Sequence, residues 1–196
     1  MSQTSQQKWD AHFADATLQT PAEPCFALRQ HSHLLPFRGT GLEIACGLGG
    51  NARFLARCGL KVEAWDLSDN ALTVLNNYAS AHHLPIQPTI ADMEQMLLPY
   101  QKYDVIVVSR YLQRDLFKQL EQALKPNGIL IYQTFLAPVQ DNAPRNPDLY
   151  LQTGELIKRC PNLRTEVYGE GWLGNENSSE SDAPKQRYAW MIGRKL

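Results

Sequence analysis

The sequence predicts an α/β fold, a doubly wound sheet of seven strands, mostly parallel and closed by an antiparallel C-terminal hairpin. Three observations carry this expectation. From Gly39 onward, short apolar runs alternate with stretches of helical periodicity, the rhythm of a parallel sheet covered by helices. Gly41 to Ala45 reads as a strand that breaks into the glycine-rich turn Gly47-Leu48-Gly49-Gly50-Asn51 and passes directly into the helical pattern Ala52 to Ala56. The last two strand-like runs have no helix between them, so they pair as antiparallel neighbours.

The elements follow in order. Gln6 to Thr17 carries Trp9 and Phe13 at helical spacing and predicts a short amphipathic helix, broken by Pro21 and Pro24. Cys25 to Leu35 predicts a second helix, ended by Pro36. Gly41 to Ala45 is the first strand, and a helix from Gly50 to Cys58 stops at Gly59. Lys61 to Trp65 is the second strand, after which Ser68 offers an N-cap for a helix to His82. Ile86 to Ala91 is the third strand, with Pro88 marking an edge or irregular start. Asp92 to Leu98 predicts a short helical piece closed by Pro99.

Tyr103 to Val108 is continuously apolar after Asp104, as in a strand buried on both faces. Asp115 to Leu124 is helical, Lys125 to Gly128 a turn, and Ile129 to Phe135 the fifth strand. Ala137 to Leu149, with three prolines, predicts an ordered loop over the sheet. Thr153 is expected to cap a helix reaching Arg159. Leu163 to Tyr168 and Tyr188 to Arg194 close the sheet, flanking a polar loop from Asn175 to Lys185 that is expected to be mobile. The whole reads as a single domain of 196 residues, with 1–38 a helical lid segment and 39–196 the α/β core.

Composition narrows the function classes. Lys plus Arg (19) and Asp plus Glu (20) nearly cancel, which disfavours a nucleic-acid groove or an anionic membrane surface. The four cysteines form no C-x-x-C pair and read as buried apolar residues or free thiols of a reducing, cytoplasmic compartment. Neither a signal peptide nor an apolar run of membrane-spanning length is visible. His31 and His33, in H-x-H spacing on a presumed helix, do not face one another, so no metal is expected.

Gly47 and Gly49 let the backbone turn tightly and bring its N–H groups close to a ligand, next to the positive end of a helix. In an open α/β sheet, ligands bind beyond the C-terminal strand ends. Glu43 lies within the first strand, Asp66 after the second and Asp92 after the third. Asp66 stands at the distance from the glycines expected of an acid that accepts from both hydroxyls of a ribose. Asp92 is placed to accept from an adenine amine, with Met93 and Leu67 able to cover the ring faces. Each has a structural competitor: Glu43 as a tie to the turn's amides, Asp66 and Asp92 as helix caps, Met93 and Leu67 as core. The turn also satisfies G-x-G-x-x-A, so a nicotinamide dinucleotide cofactor competes. Against it stand the acid upstream of the glycines, the short chain and the antiparallel ending.

These motifs resemble the class I S-adenosylmethionine-dependent methyltransferases, over Thr40 to Leu196. Leu42 to Asn51 is similar to their first motif, Asp66 to their ribose acid and Ala91-Asp92-Met93 to their adenine site. Tyr103 to Ile106 is similar to their fourth strand and Leu124 to Leu130 to their L-K-P-G-G turn. Within the class, Gly49-Gly50-Asn51-Ala52 and the compact size resemble the tellurite-resistance and thiopurine type. The resemblance implies a Rossmann-like fold, S-adenosylmethionine as cofactor with S-adenosylhomocysteine as product, and a cofactor site of Glu43, Ala45, Gly47, Gly49, Asn51, Asp66, Leu67, Asp92, Met93 and Ser109. Glu43 and Ala45 depart from the family's usual aspartate and first glycine, and Asn127 from a glycine that a left-handed Asn can replace. Ser109-Arg110-Tyr111 replaces the Asn-Pro-Pro-Tyr segment that marks amino methylation of bases or glutamine.

The expected activity is methyl transfer to a small-molecule acceptor by in-line displacement, in a monomer or homodimer, with no catalytic triad required. Candidate acceptor residues are Arg110 and Tyr111 after strand four, Arg145 and Asn146 in the loop after strand five, Trp172, and Trp9, His12 and Phe13 of the lid. The alternatives are an NAD(P)-dependent oxidoreductase and a non-catalytic adapter that keeps the cofactor fold.

Overall fold

The computed structural model describes residues 3–141, 143–174 and 186–196. Seven strands form one sheet: β1 (Gly39–Ile44), β2 (Leu60–Asp66), β3 (Ile86–Ile90), β4 (Tyr103–Ser109), β5 (Leu124–Phe135), β6 (Leu163–Leu173) and β7 (Gln186–Lys195). Their order is β3-β2-β1-β4-β5-β7-β6. The first five are parallel, whereas β7 runs antiparallel to both β5 and β6. The expected C-terminal hairpin is present, and the expected loop from Asn175 to Lys185 lies outside the described residues.

Period-two alternation distributes the core over both faces. Leu42, Ile44, Ile106, Val108, Leu130 and Tyr132 point to one face, where α5 (Leu116–Ala123) and α6 (Glu155–Arg159) supply Leu116, Phe117, Leu120 and Leu156. Val105, Val107, Ile129 and Ile131 point to the other, against α2 (Phe26–Gln30), α3 (Gly50–Arg57) and α4 (Asp69–Ala81). The remaining helix, α1 (Gln3–His12), precedes the core and meets the start of α4. β3 with its Pro88 is an edge, as that proline requires.

Several boundaries differ from expectation. The first helix ends at His12 rather than Thr17. The second stops at Gln30 and continues only as a 3-10 turn, Ser32–Leu34, because Pro36 holds Leu35 extended (φ −69, ψ 143). Residues 92–98 make turns instead of a helix, since the Asp92 carboxylate bonds Glu94 and Gln95 locally. The helix near Thr153 starts after Gly154, whose left-handed backbone (φ 72) serves as its N-cap. Ser68 caps α4 as expected, its Oγ accepting from Ala71 N–H at 3.2 Å, and Asn127 is left-handed (φ 65).

Candidate active site

Sheet order reverses at β1, whose neighbours β2 and β4 run off in opposite directions, so a crevice opens beyond their C-terminal ends. The glycine turn lies there. Gly47 (φ +51) and Gly49 (φ +74) occupy left-handed backbone that a side chain would strain, and Gly49 N–H closes the turn on Cys46 C=O at 2.8 Å. Asp66 reaches the turn from β2. Its Oδ2 accepts from Gly47 N–H at 2.7 Å and its Oδ1 from Ser68 N–H at 2.9 Å. Burial raises the carboxyl above its ordinary value, opposed by these N–H groups. Each oxygen keeps a further lone pair, so the carboxylate can still accept two hydroxyls of a ribose.

Glu43 is spent within the protein. Its Oε1 accepts from Asn51 Nδ2 at 2.7 Å and its Oε2 from Ala52 N–H at 2.6 Å, while Asn51 Oδ1 accepts from Cys25 N–H at 2.8 Å. Glu43 is 2% exposed, and burial pushes its carboxyl up to about 7 despite both bonds. Glu43 and Asn51 therefore brace the turn and tie it to the N-terminal segment. Ala45 is half-buried and left-handed (φ 52).

The ends of the other strands converge. Ala91 N–H donates to Asp66 C=O at 2.8 Å, which sets Asp92 beside β2. Asp92 Oδ1 accepts from Glu94 N–H at 3.0 Å and Oδ2 from Gln95 Nε2 at 2.9 Å. Met93 is packed in the core with Trp65 and Ala91, and Leu67 is half-buried. Ser109 ends β4, half-buried, and Arg110 follows in left-handed backbone (φ 55). Burial, and then the Glu94, Asp92 and Asp66 carboxylates, push the Tyr111 phenol up to about 12. The ends of β2, β3 and β4 thus share one electrostatic neighbourhood.

The N-terminal segment meets this cradle through Phe13. Phe13 Cζ is 3.2 Å from where a Gly47 Cβ would stand, and Phe13 contacts both His12 (centroids 4.7 Å apart) and Trp9 (6.3 Å). Asp10, which ties this segment to α4, carried no signal in the sequence. Asp10 Oδ1 accepts from Ser68 Oγ at 2.8 Å and from Asn70 N–H at 3.3 Å, while Asn70 Nδ2 donates to Asp10 C=O at 2.9 Å. One acid in a polar segment carries no signal of a partner more than fifty residues away. Of the other acceptor candidates, Arg145 is exposed, Asn146 caps a 3-10 turn through Asp148 N–H, and Trp172 is 59% exposed on β6.

Comparison with known proteins agrees with this geometry. A family model described as a methyltransferase domain matches residues 42–128. The ubiquinone biosynthesis O-methyltransferase of Coxiella burnetii is 28% identical over 98 residues, 47% of this chain and 42% of the relative. The matched stretch thus spans under half the length of that curated relative. Among solved structures, TehB from Haemophilus influenzae superposes with a TM-score of 0.76 at 18% identity, covering 96% of this chain and 67% of its own. Geranyl diphosphate C-methyltransferase from Streptomyces coelicolor, solved with S-adenosylhomocysteine, gives 0.69 at 15% identity, covering 87% of this chain and 76% of its own. At these identities the structural likeness concerns the fold, and TehB agrees at that level with the expected subgroup. No helix among the described residues is long and apolar enough to cross a membrane. The turn, the ordered acids, the sheet order and the methyltransferase-domain match over residues 42–128 agree, and in these respects the chain is similar to the class I S-adenosylmethionine-dependent methyltransferases.

Proposed function

We propose that the protein transfers a methyl group from S-adenosylmethionine to a small-molecule acceptor by in-line displacement. The observation that carries this reading is the Asp66–Gly47 contact, which joins a ribose acid to a glycine turn at the switch point of the sheet. Asp66 accepts from the ribose hydroxyls, Asp92 from the adenine amine, and Leu67 and Met93 flank the ring. Gly47, Gly49, Ala45 and Ser109 surround the methionine portion, with Glu43 and Asn51 holding the turn. The cofactor supplies a methyl carbon already activated by a sulfonium. What remains for the chain is alignment and exclusion of water, and orientation alone is worth roughly 7–11 kcal/mol of barrier.

The small acceptor follows from the lid. Phe13 closes directly on the glycine turn, leaving no wide groove there for a polymer, and the chain is nearly neutral. Arg110 and Tyr111 face the acceptor from β4, with Trp9 and His12 opposite. Tyr111 stays protonated to about 12 and its hydroxyl donates to Gln113 Oε1 at 2.8 Å, so it offers only a lone pair to the acceptor and does not serve as a base at neutral pH. Calorimetry tests the reading. Wild type is expected to bind S-adenosylhomocysteine in preference to NADH, and Asp66→Ala to weaken that binding about tenfold to a hundredfold through lost charged hydrogen bonds. A preference for NADH reverses it. Turnover of methyl-labelled cofactor against a metabolite panel then identifies the acceptor.

A further inference from the structure

A second cavity, of about 390 Å³, lies between the outer side of α3, Tyr78 of α4 and the segment leading from the lid to α2. None of Glu43, Asp66, Asp92, Met93 or Ser109 lines it. Its charge is unusual for a nearly neutral chain. Arg29, Arg53 and Arg57 border it against a single carboxylate, Glu23, leaving two formal positive charges in excess.

Arg53 is the informative residue. It is 5% exposed, and its Nε and Nη2 are buried with no hydrogen-bond partner. Its guanidinium carbon stands 3.7 Å over the Tyr78 ring, and no carboxylate pairs with it among the described residues. Burial lowers its pKa and the neighbouring Arg57 charge adds to the effect, while Tyr78 and Glu43 oppose it. A buried charge with open donors is costly unless something completes it. Arg57 is held beside it, its Nη2 donating to Tyr78 Oη at 2.6 Å. Ala52, Leu55 and Ala56 already pack α3 into the core, so packing does not demand an arginine at 53.

We propose that this cavity binds a phosphate monoester, a dianion carried on a compact apolar body, separately from the methyl-donor cradle. The excess of two positive charges matches a dianion and exceeds what one carboxylate neutralises. Guanidinium forks suit phosphate oxygens in bidentate geometry. Pro24 and Phe54 give the cavity apolar wall, and its volume is several times that of an inorganic anion alone.

The test is calorimetry on the full chain at low salt, with phenyl phosphate, inorganic phosphate and benzoate as probes. Phenyl phosphate is expected to bind saturably with one site per chain, at least about tenfold tighter than benzoate or inorganic phosphate. Arg53→Met is expected to weaken it at least about tenfold while S-adenosylhomocysteine affinity stays within about twofold. Because Arg53 is buried, the double variant Arg29→Gln, Arg57→Gln repeats the measurement at exposed positions, with the same expectation. Saturating S-adenosylhomocysteine leaves phenyl phosphate binding in place. Absence of saturable binding, undiminished binding in both variants, equal binding of inorganic phosphate, or displacement by S-adenosylhomocysteine each overturns the proposal.

Discussion

At Ala45 a residue with a side chain holds left-handed backbone (φ 52). That conformation costs an L-residue about 1–2 kcal/mol, and glycine's greater freedom when unfolded returns part of the difference. Ala45→Gly is therefore expected to stabilise the fold by about 0.5–1 kcal/mol in urea unfolding, and a loss of stability would contradict the strain. Glu43 makes a sharper case. Its carboxyl rises from 4.5 unfolded to about 7 when buried, so the native state holds the extra proton across that interval. Stability then falls as pH climbs through the window, by an amount on the order of 3 kcal/mol for this group. Burial at Asp66 works in the same direction, so the diagnostic is the difference between variant and wild type. Unfolding free energies at about pH 5 and about pH 8 are expected to differ less in Glu43→Gln than in wild type. An unchanged slope would assign the pH dependence elsewhere. The sequence shows that an acid stands before the glycines. It does not show that Asn51 and Ala52 will consume both of its oxygens.

Among the elements, those with strong periodicity and a built-in stop were legible. α4 begins at the Ser68 cap, and β1 and β4 fall within one or two residues of where their apolar runs place them, whereas β5 starts at Leu124 and takes in the Lys125–Gly128 segment expected as a turn. Elements set by distant partners were not. α2 is anchored by Gln133 Oε1 accepting from Ala27 N–H at 2.9 Å and by Asn51 accepting from Cys25, two bonds that no local pattern announces. α1 depends in the same way on Asp10, whose side chain joins the N-terminus of α4 two residues after Asp66. A hydrogen bond to a charged group contributes about 1.5–3 kcal/mol, more than a ten-residue helix of polar residues supplies for itself. Asp10→Ala is accordingly expected to lower hydrogen-exchange protection of α1 about tenfold or more, with the strands unaffected. S-adenosylhomocysteine should also leave faster. Unchanged protection in α1 would mean that the aromatic contact with Gly47 alone seats the lid.

For the molecule as a whole, the sheet's order explains why its chemistry and its stability lie at different places. β1, β4 and β5 are flanked by strands on both sides and buried on both faces, whereas β3 and β6 are edges. The cradle uses strand ends: the turn after β1, Asp66 ending β2 and Asp92 after β3, with Ala91 tied to Asp66. A ligand there bridges the central strands to the weaker β3 edge and to α1. Hydrogen exchange with and without cofactor product should read this out directly. Without ligand, β1, β4 and β5 exchange only on global unfolding, while β3, β6 and α1 exchange through smaller openings. With S-adenosylhomocysteine at a hundredfold over its Kd, global stability rises by about 2.7 kcal/mol, seen equally in the slowest amides. Protection beyond that uniform gain should concentrate in α1, the glycine turn and residues 90–95, where opening must break contacts with the ligand. Extra protection along β6 and β7, with none at the turn, would place the cofactor elsewhere and remove the basis for assigning Asp66 to the ribose.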